Sequence, residues 1–89
     1  MYKLQYKTDK NDTVQEVDYL SLYELTQQVI SDFNTKVLTN IDQLVSVTYE
    51  GKQGAISVMV TVLENLRYCV NDEVKDQIKY RLSYLKGGV

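Results

Sequence analysis

The chain opens on a period of two. At residues 2–7, Tyr2, Leu4 and Tyr6 oppose Lys3, Gln5 and Lys7, the pattern of a half-buried strand. Residues 8–13 (TDKNDT) are turn formers. Residues 14–19 alternate again, with Val17 and Tyr19 against Glu16 and Asp18, so the two segments predict an antiparallel hairpin. Its outer face carries lysines and acids, which suits cross-strand ion pairs of small worth.

The period then changes to that of a helix. Ser21 and Glu24 have capping-box spacing, and Leu22, Leu25, Val29, Ile30 and Phe33 follow on one face. The helix fades near Asn34, and residues 35–42 connect it to the next element. Residues 44–50 read as a third strand, with Val45, Val47 and Tyr49 opposed to Leu44, Ser46 and Thr48.

Residues 56–63 fit two periods. As a strand, Ile56, Val58, Val60 and Val62 oppose Ser57, Met59, Thr61 and Leu63. As a helix, Ser57, Thr61, Glu64, Asn65 and Tyr68 form a polar stripe. Five of the seven residues from 56 to 62 are β-branched, and that favours the strand. The final helix starts at Asn71 as its cap, with Asp72 and Glu73 in the first turn where the macrodipole favours acids. Val74, Ile78, Leu82 and Leu85 form its apolar face, and Gly87 and Gly88 end it.

The order ββαββα predicts one α+β domain over residues 1–89, an antiparallel sheet of about four strands with helices packed on one face. If residues 56–70 are helical, the domain has three strands and three helices. A chain of this length buries roughly 60–65% of its unfolded surface, enough for one core and little more. Its 44% apolar and 25% charged residues exclude a disordered chain.

Charge alters the picture by its placement. The net charge is only −2. Residues 1–50 hold eight acids and four lysines, whereas residues 51–89 hold six bases and four acids. The molecule is polarised along its sequence, which orients association. Tyr80 and Tyr84 share a face of the last helix, interleaved with Lys75, Lys79, Arg81 and Lys86 and preceded by Arg67 and Tyr68. These eight residues are the candidate partner-binding set. Aromatic residues beside bases suit a protein interface, and alternatively the stacking and phosphate neutralisation of nucleic-acid binding.

Other chemistry is sparse. There is no histidine and one cysteine, which argues against a zinc site. A lone cysteine is more often a buried structural residue than a nucleophile, and Cys69 has no histidine to activate it. Asp72 and Glu73 are accounted for by the helix start, so a paired-carboxylate site is not indicated. No catalytic residue, metal or cofactor is expected.

Gly51-Lys52-Gln53-Gly54 has the form G-x-x-G and is followed by the apolar residues Ile56 and Met59. It resembles the loop by which KH domains clamp a nucleic-acid backbone, and the resemblance implies a phosphate clamp between two helices. The strand-like segment before it favours a hairpin turn instead.

The sequence thus points to a non-enzymatic protein-interaction or regulatory module. Its Lys-, Asn-, Asp- and Tyr-rich composition is similar to that of small accessory proteins of low-GC bacteria, their phages and mobile elements, which act by occluding a host or competitor protein. Exposed sheet edges and eight tyrosines suggest a homodimer. No signal-peptide pattern and no membrane-length apolar run is present, so the expected location is cytoplasmic, with no membrane partner.

Overall fold

The computed structural model describes residues 1–8, 11–50 and 55–87. The first alternating segment forms β1 (Tyr2–Thr8), which pairs antiparallel with β2 (Asn11–Tyr19). Tyr2 lies opposite Tyr19 and Leu4 opposite Val17. The pairing continues past a bulge to Thr8 opposite Asn11, so the polar cluster at residues 8–13 is mostly strand. β3 (Leu44–Tyr49) pairs antiparallel with the other edge of β1, giving the sheet order β2-β1-β3.

The two faces of this sheet divide by chemistry. Leu4 and Val47 are buried side by side across the β1–β3 pair. On the opposite face Gln5 links the three strands. Its Nε2 donates to Glu16 Oε1 at 2.7 Å, and Ser46 Oγ donates to its Oε1 at 2.7 Å. Lys3 Nζ lies 3.6 Å from Glu16 Oε2 on that face. Both side chains are about half exposed, so the pair contributes little to stability.

β3 departs from simple alternation. Its register against β1 shifts between Gln5 and Tyr6, which pair with Ser46 and Leu44. A shift of one residue exchanges the faces of the side chains beyond it. Leu44 is therefore buried at 2% exposure, while Val45, expected on the core face with Val47, is 44% exposed.

Ser21 caps α1 (Leu22–Asn34), its Oγ accepting from the Glu24 amide at 3.1 Å. Leu25, Val29 and Phe33 are buried along one face, as the helical spacing predicts. Beyond α1 the chain reverses at Lys36, whose φ of 68° is left-handed. The reversal returns Leu38 to the core, its amide donating to the Asp32 carbonyl at 3.0 Å. A short 3-10 helix (Ile41–Gln43) then leads into β3.

Residues 55–66 are helical: α2 (Ala55–Leu66) replaces the expected fourth strand. Of the two arrangements read from the sequence, the one with three strands and three helices is found. The physical reason is burial. As a helix the segment turns Met59, Val62, Leu63 and Leu66 into the core together and leaves Thr61 outside. As a strand it would place Met59 and Leu63 on the face opposite Val62. Packing overrides the β propensity of the branched residues. Residues 51–54 join β3 to α2 and lie outside the described residues, so the hairpin-turn and phosphate-clamp readings fall there. Among the described residues, the next element is the helix α2 and not the second strand of a hairpin.

Asn71 caps α3 (Asp72–Leu85), its Oδ1 accepting from the Val74 amide at 3.0 Å. Val74, Ile78 and Leu82 are buried. Gly87 follows the helix at φ 79°, a conformation glycine adopts without steric cost. α1 packs on β1 and β2, α2 packs on β3 and on both other helices, and α3 packs on α2 and the 3-10 helix. The buried residues form one continuous core. Among the described residues, no helix is long and apolar enough to cross a membrane.

Leu63 discriminates the observed helix from the strand alternative. Leu63→Ala is expected to cost about 3 kcal/mol in denaturant unfolding, the range for a truncated core leucine. A loss below about 0.5 kcal/mol, normal for a surface site, would contradict the buried α2.

Candidate functional site

The surface singled out by sequence lies around α3, and folding divides it. An α-helix turns about 100° per residue, so Lys75, Lys79 and Lys86 fall on one flank and Tyr80 and Tyr84 on another, roughly 140° away. Lys86 identifies the first flank as the one facing α2, because its Nζ lies 2.6 Å from Glu64 Oε1. The tyrosine flank faces the 3-10 helix. Lysines and tyrosines that interleave in sequence therefore occupy different sides of the helix, and Arg81 alone of the bases joins the tyrosines at the groove.

The tyrosine flank borders a groove of about 650 Å³, lined by Asn40, Asp42, Asp76, Tyr80, Arg81 and Tyr84 among others. Local chemistry makes its 3-10 wall rigid. Asn40 Oδ1 accepts from the Asp42 amide at 2.8 Å, and Gln43 Oε1 accepts from the Thr39 and Asn40 amides at 2.7 and 2.9 Å. Two contacts fasten this wall to α3. Gln77 Oε1 accepts from the Ile41 amide at 2.9 Å, and Arg81 donates to Asp42 in an ion pair. The groove is formed before any ligand arrives.

The tyrosines give the groove its character. Tyr80 is 81% and Tyr84 67% exposed. Five of the eight tyrosines are largely exposed (Tyr23, Tyr49, Tyr68, Tyr80 and Tyr84). The other three, Tyr2, Tyr6 and Tyr19, pack against the core. Tyr49 also packs against Tyr2 across the sheet, the rings tilted at 53° with a centroid distance of 4.8 Å. Tyr80 and Tyr84 take part in no ring–ring or cation–π contact among the described residues.

Arg67 and Tyr68 stand apart from the groove. They occupy the turn before α3, whereas Tyr84 is near its far end, and a helix of this length spans about 20 Å. The Arg67 guanidinium lies 4.9 Å from the Tyr68 ring centroid and donates to its hydroxyl at 2.7 Å. The two residues thus satisfy each other. Cys69, in the same turn, is exposed and not buried as expected, because the turn lies beyond the last buried residue of α2, Leu66.

Most of the helix's positive charge is locally answered. Lys75 is 3.8 Å from Asp72, Arg81 pairs with Asp42 and Lys86 with Glu64. Only Lys79 of the four bases on α3 and its cap has no ion pair among the described residues. The lysine hydrogen bond, then the lysine charge, holds the Glu64 carboxyl below its ordinary value. A surface this neutral lacks the concentrated positive charge on which phosphate binding depends.

Asn40, Ile41, Asp42, Asp76 and Gln77 were absent from the sequence-derived set. Asp76 and Gln77 precede Tyr80 by four and three residues, a helix-neighbour spacing that is legible in the chain. The 3-10 helix residues are not legible, since Asp42 and Arg81 are 39 positions apart.

No protein-family model, curated protein or solved structure matches the chain. Function is therefore argued from this geometry alone.

Two outcomes check the site's construction. Gln77→Ala leaves the partly buried Ile41 amide without its acceptor, which is expected to cost about 1–3 kcal/mol. Hydrogen exchange at Ile41 should quicken more than at Val29, and equal change at both would deny the local tie. The depressed Glu64 carboxyl implies a contribution present above the ordinary glutamate range and lost as pH falls through its lower folded value. In Lys86→Ala the Glu64 titration midpoint, followed by carboxyl NMR, should move upward. An unchanged midpoint would mean that Lys86 does not set it.

Proposed function

We propose that the chain is a non-enzymatic protein-interaction module whose working surface is the groove between α3 and the 3-10 helix. The observation that carries this reading is the pair of largely exposed tyrosines on the rim of a rigid groove. Tyrosine offers a large contact area with few rotatable bonds, which is why it is enriched where proteins meet. The fastened walls support the same reading, because a preorganised surface loses less conformational entropy on binding.

The proposed mode of action is occlusion: the module occupies a surface its partner needs. Such a mode requires stable docking and no chemistry. It agrees with the composition, which is similar to that of accessory proteins of low-GC bacteria, phages and mobile elements.

The test compares the native chain with a Tyr80→Ser/Tyr84→Ser variant in affinity capture from the source cells. The native chain should retain one stoichiometric protein, and the variant should retain less than about a tenth of it, the loss typical of an interface hot spot. Both positions are exposed, so the variant's melting temperature should change little. Recovery of nucleic acid by both chains would replace the proposal with nucleic-acid binding.

A further inference from the structure

The groove's unanswered chemistry has one sign. Of its charged residues, Asp42 and Arg81 neutralise each other across the groove. Asp76 is exposed, lines the groove and makes no ion pair among the described residues. It lies four residues before Tyr80, so the two are neighbours on the helix surface. Glu73, exposed and seven residues before Tyr80, continues the same stripe toward the helix start. None of the lysines of α3 is among the described residues that line the groove. Lys79, three residues after Asp76, is a helix neighbour of it on the side away from Tyr84. A ligand entering here meets a free carboxylate and the faces of two tyrosine rings.

Both features attract a cation. A carboxylate pairs with ammonium or guanidinium, and an aromatic face attracts the same groups through its quadrupole. An anion would instead meet the carboxylates of Asp76 and Asp42, the latter already holding the arginine. We propose that the groove binds a basic segment of a partner protein, with an arginine or lysine side chain lying against Tyr80 and Tyr84 and its charged head at Asp76. The proposal rests on the protein-interaction reading and adds the partner's chemistry to it.

The test is an amide NMR titration of the full chain with tri-arginine amide. Tri-glutamate amide and a ten-residue oligothymidylate serve as comparison ligands. Tri-arginine amide should shift the amides of Asp76, Tyr80, Arg81 and Tyr84 saturably, with affinity falling as salt is raised. Asp76→Asn should weaken binding by about fivefold and Tyr80→Ser/Tyr84→Ser by about tenfold, the scale of one exposed cation contact each. Lys79→Ala, which removes a positive charge three residues from Asp76, should not weaken it.

No saturable shift with tri-arginine amide would overturn the proposal. So would binding that is indifferent to Asp76→Asn, or shifts confined to acids outside the groove. Tri-glutamate binding as tightly in the groove would also overturn it, while leaving the protein-interaction reading in place. Oligothymidylate shifting Lys75, Lys79 and Lys86, with neither peptide bound, would defeat both.

Discussion

Burial of one face of α2 is the constraint on which the rest of the structure depends. Val62 and Leu66 are fully buried, Leu63 is 1% exposed and Met59 8%. Each such side chain contributes about 1.5–3 kcal/mol when taken from water. α2 packs on β3, α1 and α3, so it joins the sheet to the other helices. A three-stranded sheet with one apolar face needs that cover, since Leu4 and Val47 would otherwise face water. Once α2 is seated, α3 docks on it through Val74, Ile78 and Leu82, and the outer flanks of α3 become the available surface.

The position of the groove follows from this packing. The bulge in β3 points Leu44 inward, and Ile41 just before it is buried as well. Together they anchor the 3-10 helix beside α3, where Gln77 and Arg81 hold it. The groove is thus built from a segment that enters the sheet and a helix that never contacts it closely. Its walls are held by the Gln77 hydrogen bond and the Arg81–Asp42 ion pair. Its exposed side chains, Tyr80 and Tyr84, are ones that the core does not use.

Three of the four bases of α3 and its cap are paired once the chain has folded. The bases of α3 pair with Glu64 on α2, Asp42 on the 3-10 helix and Asp72 at the start of α3 itself, and of these acids only Asp42 belongs to the acidic first part of the chain. What remains on the tyrosine flank is acidic and aromatic, and on the opposite flank basic.

Local order was set by the sequence alone. The period-two pattern defined β1 and β2, Ser21 and Asn71 marked the helix starts, and the apolar spacing defined the buried faces of α1 and α3. These features depend on neighbours in the chain, so they are readable there. Residues 56–63 matched both periods, and only the demand for a cover over the sheet decided for helix. Val45 and Leu44 exchanged places because of a bulge, which is a property of the strand pair and not of either strand. Tyr80 and Tyr84 were legible as a pair on one face. Their separation from Lys75, Lys79 and Lys86 became meaningful only once the 3-10 helix and α2 occupied opposite sides of α3. The sequence by itself determined β1, β2, α1 and α3, whose patterns depend on near neighbours in the chain. Tertiary structure decided the helical state of residues 55–66 and the walls of the groove, because contacts between Asp42 and Arg81 or Glu64 and Lys86 exist only after the chain has folded.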